Sequence, residues 1–280
     1  MDGSQTQAKE SRAIAASLSA ASVRFGDFTA LSDITLDIEA GDFYTILGPS
    51  GCGKSTMLRL VSDLVPPASG TVEIFGKSTE AARLAREFAF VFQDATLLPW
   101  RSALENVELP LEIGRKRGIK TPKGDRTPSE LLELVGLKRR ENALPHELSG
   151  GMQQRVALAR CLANEPDVIL MDEPLGALDA LTREKMQSLV LDLWKETGKT
   201  IILITHSVEE ALLLGERLLV MAPRPGRIHK EYRLPFAEMG VGADLRAVKK
   251  HPDYAKTREE ILAMIWEMEE EIMGRTEESA

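Results

Sequence analysis

The segment Gly48-Pro-Ser-Gly-Cys-Gly-Lys-Ser55 decides the fold, because it fits the pattern G-x-x-x-x-G-K-[ST]. An apolar stretch, Phe43–Leu47, precedes it, and a helical pattern, Lys54–Leu64, follows it. Glycines let the backbone curl so that successive N–H groups point at phosphate oxygens, and the start of the next helix offers its free amides to the same anion. The segment therefore predicts a nucleotide-phosphate site. The alternative is a plain glycine-rich turn before a helix.

Two side chains of this segment are assigned to the phosphates and their metal ion. Lys54 is placed to bridge the β- and γ-phosphates and to assist catalysis, and the Ser55 hydroxyl is placed to hold Mg²⁺. The residues expected to contact ATP are Gly48, Pro49, Ser50, Gly51, Cys52, Gly53, Lys54, Ser55 and Thr56. Taken alone, this loop leaves kinases, GTPases and motor ATPases open.

A second, acidic element narrows the choice. The apolar run Val168–Met171 predicts a strand, and it ends in two adjacent carboxylates, Asp172 and Glu173. Neighbouring side chains on a strand diverge, so the two acids can have different tasks. We expect Asp172 to hold Mg²⁺ through water and Glu173 to polarise the water that attacks the γ-phosphate. The alternative is a pair of solvated acids at a strand end.

The rest of the chain alternates short apolar runs with helical patterns, which is typical of an α/β fold with a largely parallel sheet. The predicted strands are Ala21–Phe25, Ile34–Ile38, Phe43–Leu47, Thr71–Ile74, Ala89–Phe92, Val168–Met171, Thr200–Ile204 and Arg217–Met221. The predicted helices are Lys54–Leu64, Ala81–Arg86, Ser129–Val135, Gly151–Asn164, Thr182–Thr197, Val208–Gly215 and a final helix over 256–280. The final helix is acidic and has one apolar face formed by Ile261, Ile265, Met268 and Ile272.

Between Pro99 and Gly150 the strand pattern is lost, which predicts an α-helical subdomain inserted into the α/β core. Its basic run, residues 115–126, is predicted as a loop because Gly114, Gly118, Pro122, Gly124 and Pro128 punctuate it. That run is either a solvated loop or a contact with anionic lipid headgroups.

Composition excludes several classes of protein. The chain of 280 residues is 43% hydrophobic and 28% charged, which is ordinary for a globular protein. Its apolar runs fall short of the roughly 20 residues of a membrane span, and residues 1–22 show no secretory signal. Two cysteines fit a reducing cytosol rather than a disulfide framework. The net charge of −8 disfavours a general nucleic-acid binder.

A third motif, Leu148-Ser-Gly-Gly-Met-Gln-Gln-Arg155, precedes a strong helical pattern. Ser149 is a good N-cap residue, and the two glycines expose backbone N–H groups at the start of the helix. This is a second anion-binding helix start in a chain with one P-loop, and its natural partner is a γ-phosphate presented by another copy of the chain. The alternative is a flexible turn.

In their order along the chain, residues 48–55, 148–155 and 168–173, the three motifs resemble those of the ATP-binding cassette subunits of ABC transporters, and the resemblance covers about residues 18–228. The resemblance implies an α/β P-loop NTPase cassette with a RecA-like mixed-sheet core, antiparallel β elements and a helical subdomain at about 99–150. Residues 1–17 would be a flexible N-terminus, and 229–280 a C-terminal extension.

The resemblance also assigns further residues. Gln93 matches the position that touches Mg²⁺ and the permease, and His206 matches the switch histidine that contacts the γ-phosphate. Phe25 matches the aromatic residue that stacks on adenine, with Phe28 as a second candidate. The catalytic residues are then Lys54, Glu173 and His206, and the metal-binding residues Ser55, Gln93 and Asp172. The residues implied to contact ATP on the other copy are Ser149, Gly150, Gly151, Gln153 and Asp179.

For the assembly, the resemblance implies a head-to-tail homodimer that encloses two ATP molecules. It would dock on two permease subunits at the cytoplasmic face of the plasma membrane and act indirectly with a solute-binding protein. The permease contact would fall on Ala95–Arg101. The alternative is that the apolar residues of this segment belong to the core of the subdomain. Nucleic acid is not expected as a partner.

Two strings point to a subgroup. Gln93-Asp-Ala-Thr-Leu-Leu-Pro-Trp100 and Ala222-Pro-Arg-Pro-Gly-Arg-Ile228 look like importers of nitrate, taurine, aliphatic sulfonates and related compounds. A cassette ATPase of translation or DNA repair is disfavoured, because the chain has one cassette and no long heptad run. A regulator without turnover is disfavoured by the intact Glu173 and His206.

Overall fold

The computed structural model describes residues 12–118 and 126–277, and side chains as far as Glu271. In chain order the strands are β1 (Ile14–Phe25), β2 (Phe28–Glu39), β3 (Phe43–Leu47), β4 (Ser69–Ile74), β5 (Lys77–Ser78), β6 (Phe88–Val91), β7 (Val168–Asp172), β8 (Thr200–Ile204), β9 (Arg217–Ala222) and β10 (Arg227–Arg233). The α-helices are α1 (Lys54–Val61), α2 (Thr79–Ala85), α3 (Ala103–Lys116), α4 (Pro128–Leu134), α5 (Gly150–Leu162), α6 (Ala180–Thr197), α7 (Val208–Leu214), α8 (Phe236–Gly240), α9 (Leu245–Lys249) and α10 (Pro252–Glu277).

A six-stranded sheet forms the centre of the molecule, in the order β10-β9-β3-β8-β7-β6. All neighbours are parallel except β10, which pairs antiparallel with β9 at one edge. Every residue of β3 and β8 is buried, as strands covered on both faces must be. Because the parallel strands end at one edge of the sheet, the loops that follow β3, β6, β7 and β8 share that edge.

A second sheet, in the order β2-β1-β4-β5, is antiparallel. Its inner face packs with α1 and with one face of the central sheet in a shared apolar core that includes Leu18, Ile34, Leu58 and Ile202. The β1–β2 hairpin turns at residues 26–27, so that Phe25 pairs with Phe28 at its tip. Residue 31 of β2 forms a bridge to residue 226, which joins this sheet to the turn after β9.

The described residues between 99 and 150 form helices and turns. Ser102 begins α3 with a capping box in which its hydroxyl accepts from the Glu105 amide, and Thr127 begins α4 in the same way with Glu130. The two helices pack on α5 through a core that includes Val107, Leu132 and Val156, each fully buried.

The prediction that the basic run, residues 115–126, is a loop is wrong at its N-terminal end. Gly114 lies inside α3, and residues 115–116 complete that helix. At the other end, Pro128 is the first residue of α4, just beyond the run. Gly114 is needed for packing, since a Cβ there would lie 2.4 Å from Nη1 of Arg86. That guanidinium donates to the Pro110 carbonyl at 3.1 Å, inside α3. The middle of the run, residues 119–125, lies outside the described residues, and with it most of the predicted lipid contact.

Two predicted domain boundaries fall inside strands. β1 begins at Ile14, so the prediction of a flexible N-terminus over 1–17 is wrong for residues 14–17. Ala15 and Ala16 are fully buried. The boundary at 228 cuts β10, which closes the edge of the central sheet. The predicted strand Ala21–Phe25 covers only the second half of β1, because the first half is rich in small residues, and β10 is not predicted because it is largely polar.

The C-terminal helix α10 lies against α7 and the β9–β10 edge. Two residues of its predicted apolar face, Ile261 (0% exposed) and Met268 (7% exposed), are buried there together with Tyr254, and Ile265 is partly buried. Ile272 lies beyond the described side chains. No helix among the described residues has the length and apolar character needed to span a bilayer.

Candidate active site

The phosphate-binding loop connects β3 to α1 at the carboxyl edge of the central sheet. Lys54 is only 8% exposed, and its ammonium donates to the carbonyls of Gly48 at 2.8 Å and Pro49 at 3.0 Å. Gly53 adopts φ 95°, and a Cβ there would lie 2.6 Å from Leu31 Cδ2. The backbone of the loop is therefore curled around the lysine charge, in a conformation that favours glycine.

The turn after β9 supports the back of this loop. A Cβ on Gly226 would lie 2.3 Å from the Cys52 carbonyl oxygen, and a Cβ on Gly48 would lie 2.5 Å from the Met221 carbonyl oxygen. The string Ala222–Ile228, which the sequence analysis used only to suggest a subgroup, is thus a packing partner of the phosphate-binding loop.

Ser55 and Asp172 meet across the sheet edge. The Ser55 hydroxyl donates to Oδ1 of Asp172 at 3.1 Å. Burial raises the pKa of Asp172, the hydrogen bond from Ser55 lowers it, and the nearby Glu173 carboxylate raises it. A hydroxyl oxygen beside a carboxylate is a donor set that suits Mg²⁺, a hard cation. Gln93 follows β6, the neighbour of β7, and its side chain is exposed at the same edge.

Glu173 and His206 form a direct pair beside these groups. Nδ1 of His206 lies 3.0 Å from Oε2 of Glu173. Glu173 has φ 46°, which is unusual for a residue with a side chain, and its amide donates to the Ile204 carbonyl at 3.0 Å. This backbone, anchored on β8, turns the carboxylate towards the histidine that follows the same strand. Such strain concentrates at functional sites.

One open concavity joins the phosphate-binding loop to the β1–β2 hairpin. Its lining residues are Phe25, Phe28, Ala30, Ser50, Gly51, Gly53, Lys54, Ser55, Thr56 and Glu173. Phe25 is 52% exposed and Phe28 is 60% exposed, so two aromatic rings are available to a flat base. The structure thus places both candidates for the adenine-stacking residue, Phe25 and Phe28, in the same concavity.

The third motif lies elsewhere on the same molecule. Ser149 caps α5, its hydroxyl accepting from the Met152 amide at 3.4 Å, and Gly150 is exposed. The side-chain Nε2 of Gln153 donates to the carbonyls of Pro145 (2.9 Å) and Leu148 (3.2 Å). None of these residues is among those that line the concavity around Lys54.

Asp179 also lies apart from the concavity. It caps α6, accepting from the amides of Leu181 and Thr182 at 3.1 Å each, and hydrogen bonds from Thr182 hold the pKa of its carboxyl below the usual range. Gly151 packs against the same turn, because a Cβ there would lie 2.4 Å from Thr182 Cγ2. The starts of α5 and α6 therefore form one continuous surface.

Two buried polar residues near the site were missed by sequence reasoning. Thr205 (2% exposed) precedes His206, and Glu210 (3% exposed) lies in the first turn of α7. An acid within the apolar run Val208–Leu214 was the available signal, because a buried carboxylate needs partners.

A phosphate-binding loop, an acidic pair at the end of β7 and a histidine after β8 together define a P-loop ATPase domain. The family model described as "ABC transporter" matches residues 31–176. The chain belongs to the ABC transporter family, as its ATP-binding and ATP-hydrolysing subunit. Both the predicted family and the predicted fold class are confirmed.

Curated relatives are similar over most of the chain. "Taurine import ATP-binding protein TauB" of Jannaschia sp. (strain CCS1) is 62% identical over 255 residues, covering 91% of this chain and 93% of the relative. The protein of the same name from Roseobacter denitrificans is 62% identical over 251 residues, covering 90% of this chain and 92% of the relative.

Solved structures share the fold. The bacterial ABC transporter cassette MJ0796, solved as a dimer, is 38% identical with a TM-score of 0.66, covering 78% of this chain and 98% of that one. CbiO1 of Clostridium perfringens, part of the transporter complex CbiONQ, is 25% identical with a TM-score of 0.69. The match covers 89% of this chain and 100% of CbiO1.

Proposed function

We propose that the chain is the ATP-hydrolysing subunit of an importer for taurine or closely related small sulfonates. The solute class rests on the relatives named for taurine import, which are 62% identical over nine tenths of the chain. The chemistry rests on one observation above all, the 3.0 Å contact between Glu173 and His206 beside the phosphate-binding loop.

In the proposed reaction, Lys54 and the loop amides hold the β- and γ-phosphates. Ser55 and Asp172, with Gln93, hold Mg²⁺, which when bound neutralises phosphate charge. The Glu173 carboxylate accepts a hydrogen bond from the attacking water and orients it towards the γ-phosphorus. His206 contacts the γ-phosphate and keeps the carboxylate of Glu173 in place.

A homodimer completes each site. In this proposal, Ser149, Gly150, Gly151, Gln153 and Asp179 of one copy contact the nucleotide held by the other. Two features support this arrangement. These residues do not line the concavity around Lys54 of their own chain. Gly150 is exposed, and beyond its chain neighbours and its own helix no atom lies within 4 Å of a Cβ position there. ATP bound between two copies would favour the closed dimer.

The permease pair is proposed to dock on a groove beside β6 and α3. The apolar residues of the groove are Ala89, Phe90, Leu109, Pro110 and Ile113. At its side Arg160 donates to the carbonyls of Ala95 and Thr96 at 2.8 and 2.9 Å, which fixes the start of the segment Ala95–Arg101. Within that segment Leu97 packs in the subdomain core, whereas Trp100 is 72% exposed and free to contact a partner. Docking there would place the chain at the cytoplasmic face of the membrane.

The test is reconstitution of the chain with its permease pair in vesicles, with the solute-binding protein added outside. We expect taurine to stimulate ATP hydrolysis and its own uptake, and nitrate to have a smaller effect. The variant Glu173→Gln is the control and should lose both activities. Equal stimulation by every solute, or by none, would contradict the assignment of the solute class.

A further inference from the structure

Two features of the chain that the proposed chemistry does not use meet at one cavity. The first is the turn from β9 to β10, which carries the string Ala222–Ile228, and the second is the acidic helix α10. The cavity between them has a volume of about 150 Å³. In the described part of the chain, it shares no lining residue with the nucleotide concavity. It is therefore a separate candidate site.

The turn and β10 supply three basic side chains to the cavity. Arg224 lies in the turn, and Arg227 and His229 lie two residues apart on β10. A guanidinium is charged at physiological pH, and its fork of N–H donors fits the oxygens of a carboxylate, phosphate or sulfonate. This wall therefore suits an anionic group.

Helix α10 supplies the opposite wall. Its lining residues, Met264, Glu267, Met268 and Glu271, follow the spacing i, i+3, i+4, i+7 and so share one face of the helix. The two carboxylates can accept hydrogen bonds from an ammonium group, while the two thioethers form an apolar surface that adapts to a ligand. This wall therefore suits a cationic group joined to a short carbon chain.

Both walls are held in place by contacts outside the cavity. The Gly226 amide donates to the Ala30 carbonyl at 3.0 Å, which ties the turn to β2. Lys230 of β10 donates to Oε1 of Glu260 in α10 at 2.9 Å, and Met268 is buried against the core. Because the backbone of both walls is already fixed, a ligand loses little affinity to the ordering of the protein.

The charges around the cavity disfavour a ligand of one sign. Among the described residues, no ion pair within 4.0 Å joins Arg224 or Arg227 to a glutamate of α10. Two guanidinium groups and two carboxylates therefore face the same space without neutralising one another. A phosphate would be repelled by the carboxylates, and a metal ion would be repelled by the arginines. A ligand with one charge of each sign satisfies both walls.

We propose that this cavity binds a small zwitterion of the amino sulfonate class. Arg224 and Arg227 hold the sulfonate, Glu267 and Glu271 hold the ammonium group, and the methionines contact the carbon chain between them. A cavity of about 150 Å³ is large enough for a molecule the size of benzene. Taurine is an amino sulfonate of about that size, and its choice as the ligand rests on the proposed function, in which it is the solute.

The first test is isothermal titration calorimetry of the purified full-length chain with taurine. We expect a Kd of about 1 mM or tighter, because charge-assisted hydrogen bonds form at both ends of the ligand. Two probes each lack one charge: 2-hydroxyethanesulfonate has no ammonium group, and ethanolamine has no sulfonate. Each should bind at least about tenfold more weakly than taurine. A probe that binds as tightly as taurine, or the absence of taurine binding at about 10 mM, would overturn the proposal.

Variants test whether taurine binds at this cavity. Arg227→Ala and Glu267→Gln should each weaken taurine binding at least about tenfold, because each removes one charged partner. The matched controls are Arg233→Ala on β10 and Glu269→Gln on α10, whose side chains are exposed and lie outside the cavity. They make the same changes of charge and should keep the parental Kd.

The four substituted side chains are exposed, so the variants should fold, and urea denaturation checks this. Parental affinity in either cavity variant, or equal weakening in the controls, would contradict the assignment. The result is also separable from the transport assay. Taurine binding by the chain with a complex that ignores taurine would refute the solute alone. A complex stimulated by taurine, with no binding by the chain, would refute this site alone.

Discussion

At the residue scale, the carboxylate of Glu173 is the group on which the proposed hydrolysis depends. Because its φ of 46° and its 3.0 Å contact with His206 aim it at the site, we expect Glu173→Gln to slow hydrolysis by about 100-fold or more. ATP binding should persist, since Lys54 and the loop are unchanged, and the ATP-bound dimer should accumulate. Phosphate release, nucleotide binding and gel filtration together measure this. Wild-type turnover in the variant would remove Glu173 from its role.

The two cysteines give a pH-dependent prediction. Burial raises the pKa of Cys161 to about 12, and it also raises the pKa of Cys52 in the phosphate-binding loop. The thiolate is the reactive form, so near pH 8 both thiols should remain protonated and resist iodoacetamide in the folded protein. Reactivity should rise only as pH approaches the raised values. Mass spectrometry before and after denaturation checks this, and rapid native alkylation of either thiol would refute it.

At the element scale, the start of α5 combines a cap with the proposed contact to the second copy. Ser149→Ala removes the hydroxyl that accepts from Met152, which should cost about 1 kcal/mol of unfolding free energy. It should also lower ATPase activity while ATP binding persists. Ser102→Ala is the matched control, because Ser102 caps α3 in the same way. Equal ATPase activity in two equally destabilised variants would contradict a role for Ser149 beyond capping.

The C-terminal helix is expected to stabilise the core. Ile261 is fully buried against α7, so Ile261→Ala should lower the free energy of unfolding by about 2–5 kcal/mol. Trp266→Ala on the outer face, where the ring is 58% exposed, should change it little. Urea denaturation of the two variants measures the difference. An unchanged stability in Ile261→Ala would mean that α10 does not pack as described.

The sequence predicted some elements far better than others, for physical reasons. The buried parallel strands were predicted to within about a residue, because runs such as Ile201–Ile204 are apolar at every position. Helix α3 was missed because Pro110 and Gly114 interrupt its pattern. Its capping box, Ser102 with Glu105, was the signal that could have revealed it. The polar edge strand β10 gave no such signal.

At the scale of the whole molecule, motif order predicted the family, and the structure explains why the motifs cooperate. The loops after β3, β7 and β8 share one edge of the sheet, which brings Ser55 to Asp172 and Glu173 to His206. The sequence could not reveal that the turn after β9 supports the phosphate-binding loop, because only the fold brings Gly226 against the Cys52 carbonyl.

In the proposed dimer, each catalytic site needs two copies of the chain. A mixture of two inactive variants tests this requirement. Lys54→Ala should lose nucleotide binding. Gly150→Asp should fold, since no atom beyond its chain neighbours and its own helix lies within 4 Å of the Cβ position, yet it should repel the partner's γ-phosphate.

In an equal mixture, half of the dimers pair one variant with the other, and each such dimer has one complete site. We therefore predict that ATPase activity, measured at concentrations where the isolated cassettes dimerise, returns to about a quarter of the wild-type value. A mixture that stays as inactive as its two folded components, or a Gly150→Asp variant that works unaided at the wild-type rate, would contradict the shared site.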